Sequence, residues 1–382
     1  MSGVLEKRFF TRDRGQGVLT KLWQVPWLFV LLLCSIAACG YVALYSAGSG
    51  PEAYASKHAL RFGFGLVLML SIAMVDVRII ARFAWVGYAF GIGMLVLVLL
   101  AGNVGKGAQR WIDVGPLQLQ PSELMKILLV VALGAWFSSA TWEKVGNPLF
   151  LVPPIIAVLL PMGLILKQPN LGTAMITGMI GGAVFWAARV RWWKFALVLG
   201  AAAAAAPIAY SHLHDYQRQR ILTFMDPESD PLGAGYNIIQ SKIALGSGGM
   251  WGKGFLQGTQ GHLNFLPEKQ TDFIFTMIAE EFGLGGGLTV LGLMCLVILF
   301  CYVTALRCKH QFGRLVAVGL GTNFFLYVFV NVAMVTGSIP VGGVPLPLIS
   351  HGGSAMLTTM LGFGVLLSVY MHRDAEFGPV RE

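Results

Sequence analysis

Charge is what this sequence has least of. Only 12% of its 382 residues are Asp, Glu, Lys or Arg, against ~25% in an ordinary soluble domain. That shortage excludes a compact water-soluble enzyme. Cysteine is scarce too: Cys34, Cys39, Cys295, Cys301 and Cys308 all fall in or beside apolar runs. An odd number of thiols so placed argues against a disulfide framework. There is no internal repeat and no separable soluble domain, and the short alternating strands of an outer-membrane barrel are missing.

Apolar residues fill the space instead, at 56% of the chain, together with 48 glycines, a residue favoured in membrane helices. Runs bounded by charge cover 25–47, 58–75, 79–101, 121–139, 149–166, 171–187, 192–211, 272–306, 313–336 and 347–371. Most are near the ~20 residues that cross a bilayer as a helix. The expected fold is therefore an all-α polytopic membrane protein of about ten transmembrane helices. A single membrane domain, 25–371, is flanked by an N-terminal segment, 1–24, and a tail, 372–382. The first run exceeds the ~7–15 apolar residues of a signal peptide and reads as a retained anchor. Small residues from Ala201 to Ala206 permit close helix packing.

The net charge of +9 in a soluble protein would suggest a polyanionic partner. Sorting the basic residues by segment gives another cause. With the N-terminus cytoplasmic, sixteen fall in cytoplasmic segments, whereas the short outer loops and helix ends carry Lys57, Arg61, Lys106, Arg110 and Lys167. This positive-inside bias places both termini in the cytoplasm and removes nucleic acid as a partner.

The long loop between the seventh and eighth runs, 212–271, then faces outside, with five acids and five bases. A loop of that length is more often functional than connective. Its apolar residues from Tyr236 to Leu245 have the spacing of a helix lying on the membrane surface, and glycines follow up to Gly261. A mobile connector is the bland alternative.

Ionisable groups within a bilayer cost ~3 kcal/mol each and need a partner or a use. Glu123 and Lys126, three apart after the helix-opening Pro121, share a face. They form either a structural ion pair or a site where Lys126, with Arg110 nearby, meets an anionic ligand while Glu123 orients the lysine. Asp272 stands where a polar loop meets the longest apolar run, as a helix cap or as a partly desolvated carboxylate able to take a proton from a hydroxyl. Between Ser338 and Ser354, three prolines and several glycines break any helix. Such backbone is tolerated at membrane depth where protein buries it or water reaches it, and its amides and Ser350 are candidates for binding an anion. Gly252-Lys253 is no phosphate loop, since Ser247 stands where a glycine is needed. His212 and His214 lack a third zinc ligand.

Several segments together resemble the SEDS family (shape, elongation, division and sporulation proteins), on the side-wall elongation branch. They are GAQRWIDVGPLQLQPSELMK from Gly107, KQPNLGTAM from Lys167, DPLGAGYNIIQSKIALGSGG and FLPEKQTDFIFTMIAEEFG within Arg218 to Gly283, and NVAMVTGSIPVGGVPLPLISHGGS from Asn331. Three positions depart from the family pattern: His351 where tyrosine is usual, Ser338 where an aliphatic residue is usual, and Asn170 where aspartate is frequent. The resemblance implies a multi-pass inner-membrane glycosyltransferase that polymerises lipid II. Its partners would be a class B penicillin-binding protein and other membrane proteins of the elongation machinery. Asp272 matches the family's essential aspartate.

That reaction needs a base at the acceptor hydroxyl and cations at the leaving pyrophosphate. Asp272 is the expected base. Arg110, Lys126, Arg218 and Lys269, with a divalent cation such as Mg or Mn, are expected at the pyrophosphate, and Glu123 and Ser350 in substrate binding. No organic cofactor is called for. The competing reading is a lipid II flippase, which broken helices and intramembrane charges would also suit.

Overall fold

The computed structural model describes residues 18–105, 108–114, 117–211, 215–226, 234–262, 265, 268–340 and 342–375. Most of the N-terminal segment, His212 and His214, parts of the long loop and the tail beyond residue 375 lie outside the described residues. A short helix α1 (Val18–Gln24) leads into α2 (Trp27–Ala47), and a turn of π-helix at Pro51–Ala55 connects to α3 (Ser56–Ala73). The run expected at 79–101 is two helices, α4 (Val77–Arg82) and α5 (Ala84–Ala101), that meet at Phe83. Asp76 starts the first of them by accepting a hydrogen bond from the Arg78 amide at 2.8 Å.

The all-helical expectation is corrected next. β1 (Asn103–Gly105), β2 (Ala108–Val114) and β3 (Leu117–Leu119) form a small antiparallel sheet in the order β1-β2-β3, with a bulge at Asn103/Val104. Trp111, Ile112 and Val114 favour extended backbone, a signal masked in the sequence by the surrounding polar residues. Pro121 then opens α6 (Pro121–Phe137), followed by α7 (Trp142–Gly146), α8 (Pro148–Lys167), α9 (Leu171–Ala187) and α10 (Trp192–Ser211). Within the long loop lie α11 (Asp215–Met225), α12 (Ala234–Ser247) and α13 (Thr259–His262), and the chain closes with α14 (Ile274–Arg307), α15 (Gln311–Val335) and α16 (Gly353–Met371). The last run starts six residues later than the sequence suggested, because Pro345 and Pro347 hold residues ahead of it out of helical geometry.

Six of these helices are long and apolar enough to cross a membrane by length and composition, and α9 and part of α10 are shorter apolar helices. Among the six, α15 and α16 are the most enclosed, and α6 buries most of its length against α5, α15 and α9. Around this centre stand α2, α3, α5, α8 and α14, whose outward residues such as Leu60, Leu100, Leu149 and Leu288 are exposed. An apolar exterior on a packed interior is the arrangement a bilayer solvates.

α14 is not one straight rod. Gly283 adopts φ 69° and ψ −165°, a conformation that L side chains resist, and the helix breaks there. Into the break the 249–254 loop is laced: the Leu284 amide donates to the Gly249 carbonyl at 2.9 Å, and the Lys253 amide to the Glu280 carbonyl at 3.0 Å. The surface helix expected around residues 236–245 is present as α12, docked by Ser241 on Thr276 (2.9 Å) and on the Val335 carbonyl (2.9 Å).

Candidate active site

Asp272 lies just before the first turn of α14, in a tight turn over residues 268–273. The Thr271 amide donates to the Glu268 carbonyl at 3.1 Å, and the Thr271 hydroxyl to the Glu268 carboxylate at 3.0 Å. Phe273 follows at 1% exposure and plugs the turn into the core, leaving Asp272 half-buried at the rim.

The broken segment between α15 and α16 grips this turn through its main chain. Asn331, fully buried in α15, donates from its amide nitrogen to the Asp272 carbonyl at 2.9 Å and to the Val344 carbonyl at 2.7 Å. The Ser350 hydroxyl donates to the Thr271 carbonyl at 2.6 Å and accepts from the Leu346 amide at 2.8 Å. His351 adds its backbone amide on the Gln270 carbonyl at 2.8 Å. Gly343, at φ 67°, brings bare backbone to the carboxylate, and a Cβ there would lie 3.8 Å from Asp272 Oδ2. Prolines and glycines thus serve a second purpose: they free polar groups of this segment to hold residues 270–272 rather than one another. Ser350, at 3% exposure, works within this clamp.

Glu123 and Lys126 form a closed triad with Tyr327 of α15. Lys126 Nζ is 2.8 Å from Glu123 Oε1 and also hydrogen-bonds the Tyr327 hydroxyl, which donates to Glu123 Oε2. Lys126 is 1% exposed and its ammonium stands 4.2 Å from the Tyr327 ring centre. In this geometry the ammonium is buried and engaged by its own helix and by α15.

The other cations are spread over the same loops. Arg110 in β2 donates to the Gln168 carbonyl at 3.3 Å and to the Pro169 carbonyl. Asn170 beside them caps α9, accepting from the Thr173 amide at 3.4 Å, a task that needs an acceptor oxygen and no charge. Arg218 closes on the Tyr210 and Ser211 carbonyls at the end of α10. Lys269 reaches the Gly261 carbonyl at 2.8 Å, and burial lowers its pKa from the usual lysine value. The structure therefore groups Asp272, Lys269 and Ser350 on one turn and its clamp, and joins Glu123 to Lys126. Arg110 and Arg218 each close on the end of a neighbouring helix.

Sequence reasoning did not single out Asn331 or Tyr327. The available signal was an amide and a phenol inside an otherwise apolar run, four residues apart and so on one face of the helix. Further along the loop, Glu280 is fully buried and meets Lys253 at 2.7 Å, with Thr259 and the Gln260 amide each at 3.1 Å.

Comparison with known proteins gives a consistent result. The family model of FtsW, RodA and SpoVE, described as cell cycle proteins, matches residues 20–375. Peptidoglycan glycosyltransferase MrdB of Escherichia coli K12 is 41% identical over 349 residues, covering 90% of this chain and 93% of that protein. The RodA peptidoglycan glycosyltransferase of Treponema pallidum is 30% identical, over 90% of this chain and 96% of its own. Among solved structures, a chain from work on the structural coordination of polymerization and crosslinking by a peptidoglycan synthase complex superposes with a TM-score of 0.81 at 31% identity, covering 92% of this chain and 99% of that one. The crystal structure of the rod shape determining protein RodA of Thermus thermophilus gives 0.69 at 27% identity, over 92% and 98%.

Proposed function

The chain belongs to the FtsW, RodA and SpoVE family, and from that membership we infer that it is a peptidoglycan glycosyltransferase of the inner membrane that serves cell shape. Kinship with the MrdB enzyme over nearly the whole chain carries this reading. The substrate is lipid II, and the product a glycan strand with release of undecaprenyl pyrophosphate. The proposed arrangement has ten spans, cytoplasmic termini and an active site on the periplasmic face. A class B penicillin-binding protein crosslinks the product as its partner, a pairing supported by the likeness to a chain of a peptidoglycan synthase complex.

In the proposed step the acceptor hydroxyl oxygen attacks the donor anomeric carbon while the bond from that carbon to the pyrophosphate oxygen breaks. The hydroxyl proton passes to Asp272, and the anomeric configuration inverts without a covalent enzyme intermediate. The clamp from Asn331, Ser350 and His351 fixes the backbone from which the carboxylate projects, and such orientation is a large part of catalysis. Lys269, three residues before Asp272 in the sequence, is one candidate cation for the leaving pyrophosphate. Arg110 and Arg218 carry guanidinium groups whose planar fork of donors matches phosphate oxygens. Glu123 and Lys126 brace the floor beneath. Among the described residues, no group of three or more His, Cys, Asp or Glu forms a metal cage. A bound Mg or Mn ion would supply further positive charge for the leaving pyrophosphate.

The test is full-length protein with its partner synthase in detergent, supplied with labelled lipid II. Glycan strands that form there and disappear in Asp272→Asn support the assignment, since a detergent micelle leaves no bilayer for a flippase to cross. A stably folded Asp272→Asn protein polymerising at the parent rate overturns the role of Asp272.

A further inference from the structure

Arg61 of α3 is half-buried, with Nη1 3.2 Å from His351 Nε2. Among the described residues no carboxylate pairs with it. Lys57 lies one turn before it on the same helix. Beside the guanidinium begins α16, whose N-cap Gly352 brings no capping side chain. A Cβ at Gly353 would lie 3.1 Å from Arg61 Nε, so the arginine rests against the first turn, where amide hydrogens point outward. Two positively polarised groups thus converge, an arrangement that an anion would stabilise. The ring of His351 packs edge-on to Tyr54 at 5.1 Å, and its Nδ1 is buried without a partner. Burial first, and then the cations Arg61 and Lys57, hold its pKa down at about 4. His58, on α3 three residues before Arg61, is 2% exposed, and neither of its ring nitrogens makes a hydrogen bond of ordinary geometry.

We propose that Arg61, His351 and the opening turn of α16 form a binding subsite for a lipid-linked diphosphate. This rests on the glycosyltransferase reading and adds a place where that substrate class is held. The site is next to the candidate catalytic carboxylate, because the His351 amide is bonded to Gln270, two residues before Asp272. It also borders the lipid: Leu60 and Phe64, flanking Arg61 on α3, are 76% and 57% exposed, giving a prenyl chain an apolar wall while its phosphates meet the arginine. Arginine suits such phosphates through its fork of donors. A bound diphosphate would also draw a proton onto His351, turning it from acceptor of the Arg61 hydrogen bond into a second donor to phosphate.

The test measures equilibrium binding of a fluorescent short-chain polyprenyl diphosphate to the full-length protein in detergent, with the polyprenyl alcohol and inorganic pyrophosphate as comparison probes. Arg61→Gln is expected to weaken diphosphate binding about tenfold or more, and Arg61→Lys to restore part of it. The alcohol should bind weakly and alike to both. In histidine-labelled protein near pH 6.5, the diphosphate should move the His351 resonance toward the charged form, a response His351→Tyr abolishes. With the melting temperature of Arg61→Gln unchanged, parent-like binding of the diphosphate overturns the site, and so does equal affinity for diphosphate and alcohol. Inorganic pyrophosphate binding as tightly as the lipid form overturns the lipid part. Arg61-dependent binding in a protein that makes no glycan would instead refute the enzyme reading and leave this site standing.

Discussion

Asn331 and Tyr327 sit one turn apart on α15, about 5–6 Å between side-chain roots, and each fixes a different polar group. The first holds the backbone of Asp272, and the second completes the Glu123–Lys126 triad. Asn331→Ala removes a bond to the Asp272 carbonyl and another to Val344 without touching the carboxylate. A neutral hydrogen bond contributes roughly 1 kcal/mol, so kcat should drop about fivefold with KM little changed. Loss confined to KM would place Asn331 in substrate binding instead. A second residue-scale prediction concerns pH. His351 has its pKa lowered to about 4 from an ordinary 6.5, so the unfolded chain takes up a proton before the folded one does. Stability from this group is present above pH 6.5 and is lost as pH falls toward 4. Thermal melts of ligand-free protein across that window should fall less steeply in His351→Tyr than in the parent.

Among the elements, α6 carries a buried charge pair that the Tyr327 hydroxyl ties to α15. Breaking such a pair on one side leaves an uncompensated buried charge and costs about 3–5 kcal/mol. Glu123→Gln should therefore lower the melting temperature sharply, and the double change Glu123→Gln with Lys126→Met should recover most of it. Polymerisation by the double variant then decides between bracing and substrate contact for Lys126. Gly283→Ala should detach the 249–254 loop, because a Cβ there would run into the Gly252 amide nitrogen in backbone no alanine favours. Hydrogen exchange would show the Lys253 and Leu284 amides losing protection. Most helices were legible beforehand, since runs such as 171–187 match their elements to the residue. The sheet at 103–119 was not, because its strands are short and their pairing is settled by neighbours. The break at Phe83 also escaped notice, lying in an unbroken apolar run where hydrophobicity carries no record of a bend. In the site, the junction position of Asp272 was readable from sequence. The clamp that holds it was not, because Asn331 and Ser350 reach it across 59 and 79 residues of chain.

At the scale of the whole molecule, the sixteen basic residues assigned to cytoplasmic segments predict orientation. A fluorescent protein fused after the C-terminus should mature and glow, and alkaline phosphatase inserted among residues 227–233 should be active in the periplasm. The reverse pattern would refute the proposed topology. The architecture also closes the start of α14 against the segment between α15 and α16, through bonds that end on main-chain atoms of residues 270–272. Replacing the side chain at 272 leaves those bonds in place, so an inactive Asp272 variant keeps the parent's outer shape. Co-expressed with the parent, it would occupy the same partner synthases and yield nothing, and the genetic signature of this clamp is therefore dominance: such alleles should poison a cell that still carries a working copy.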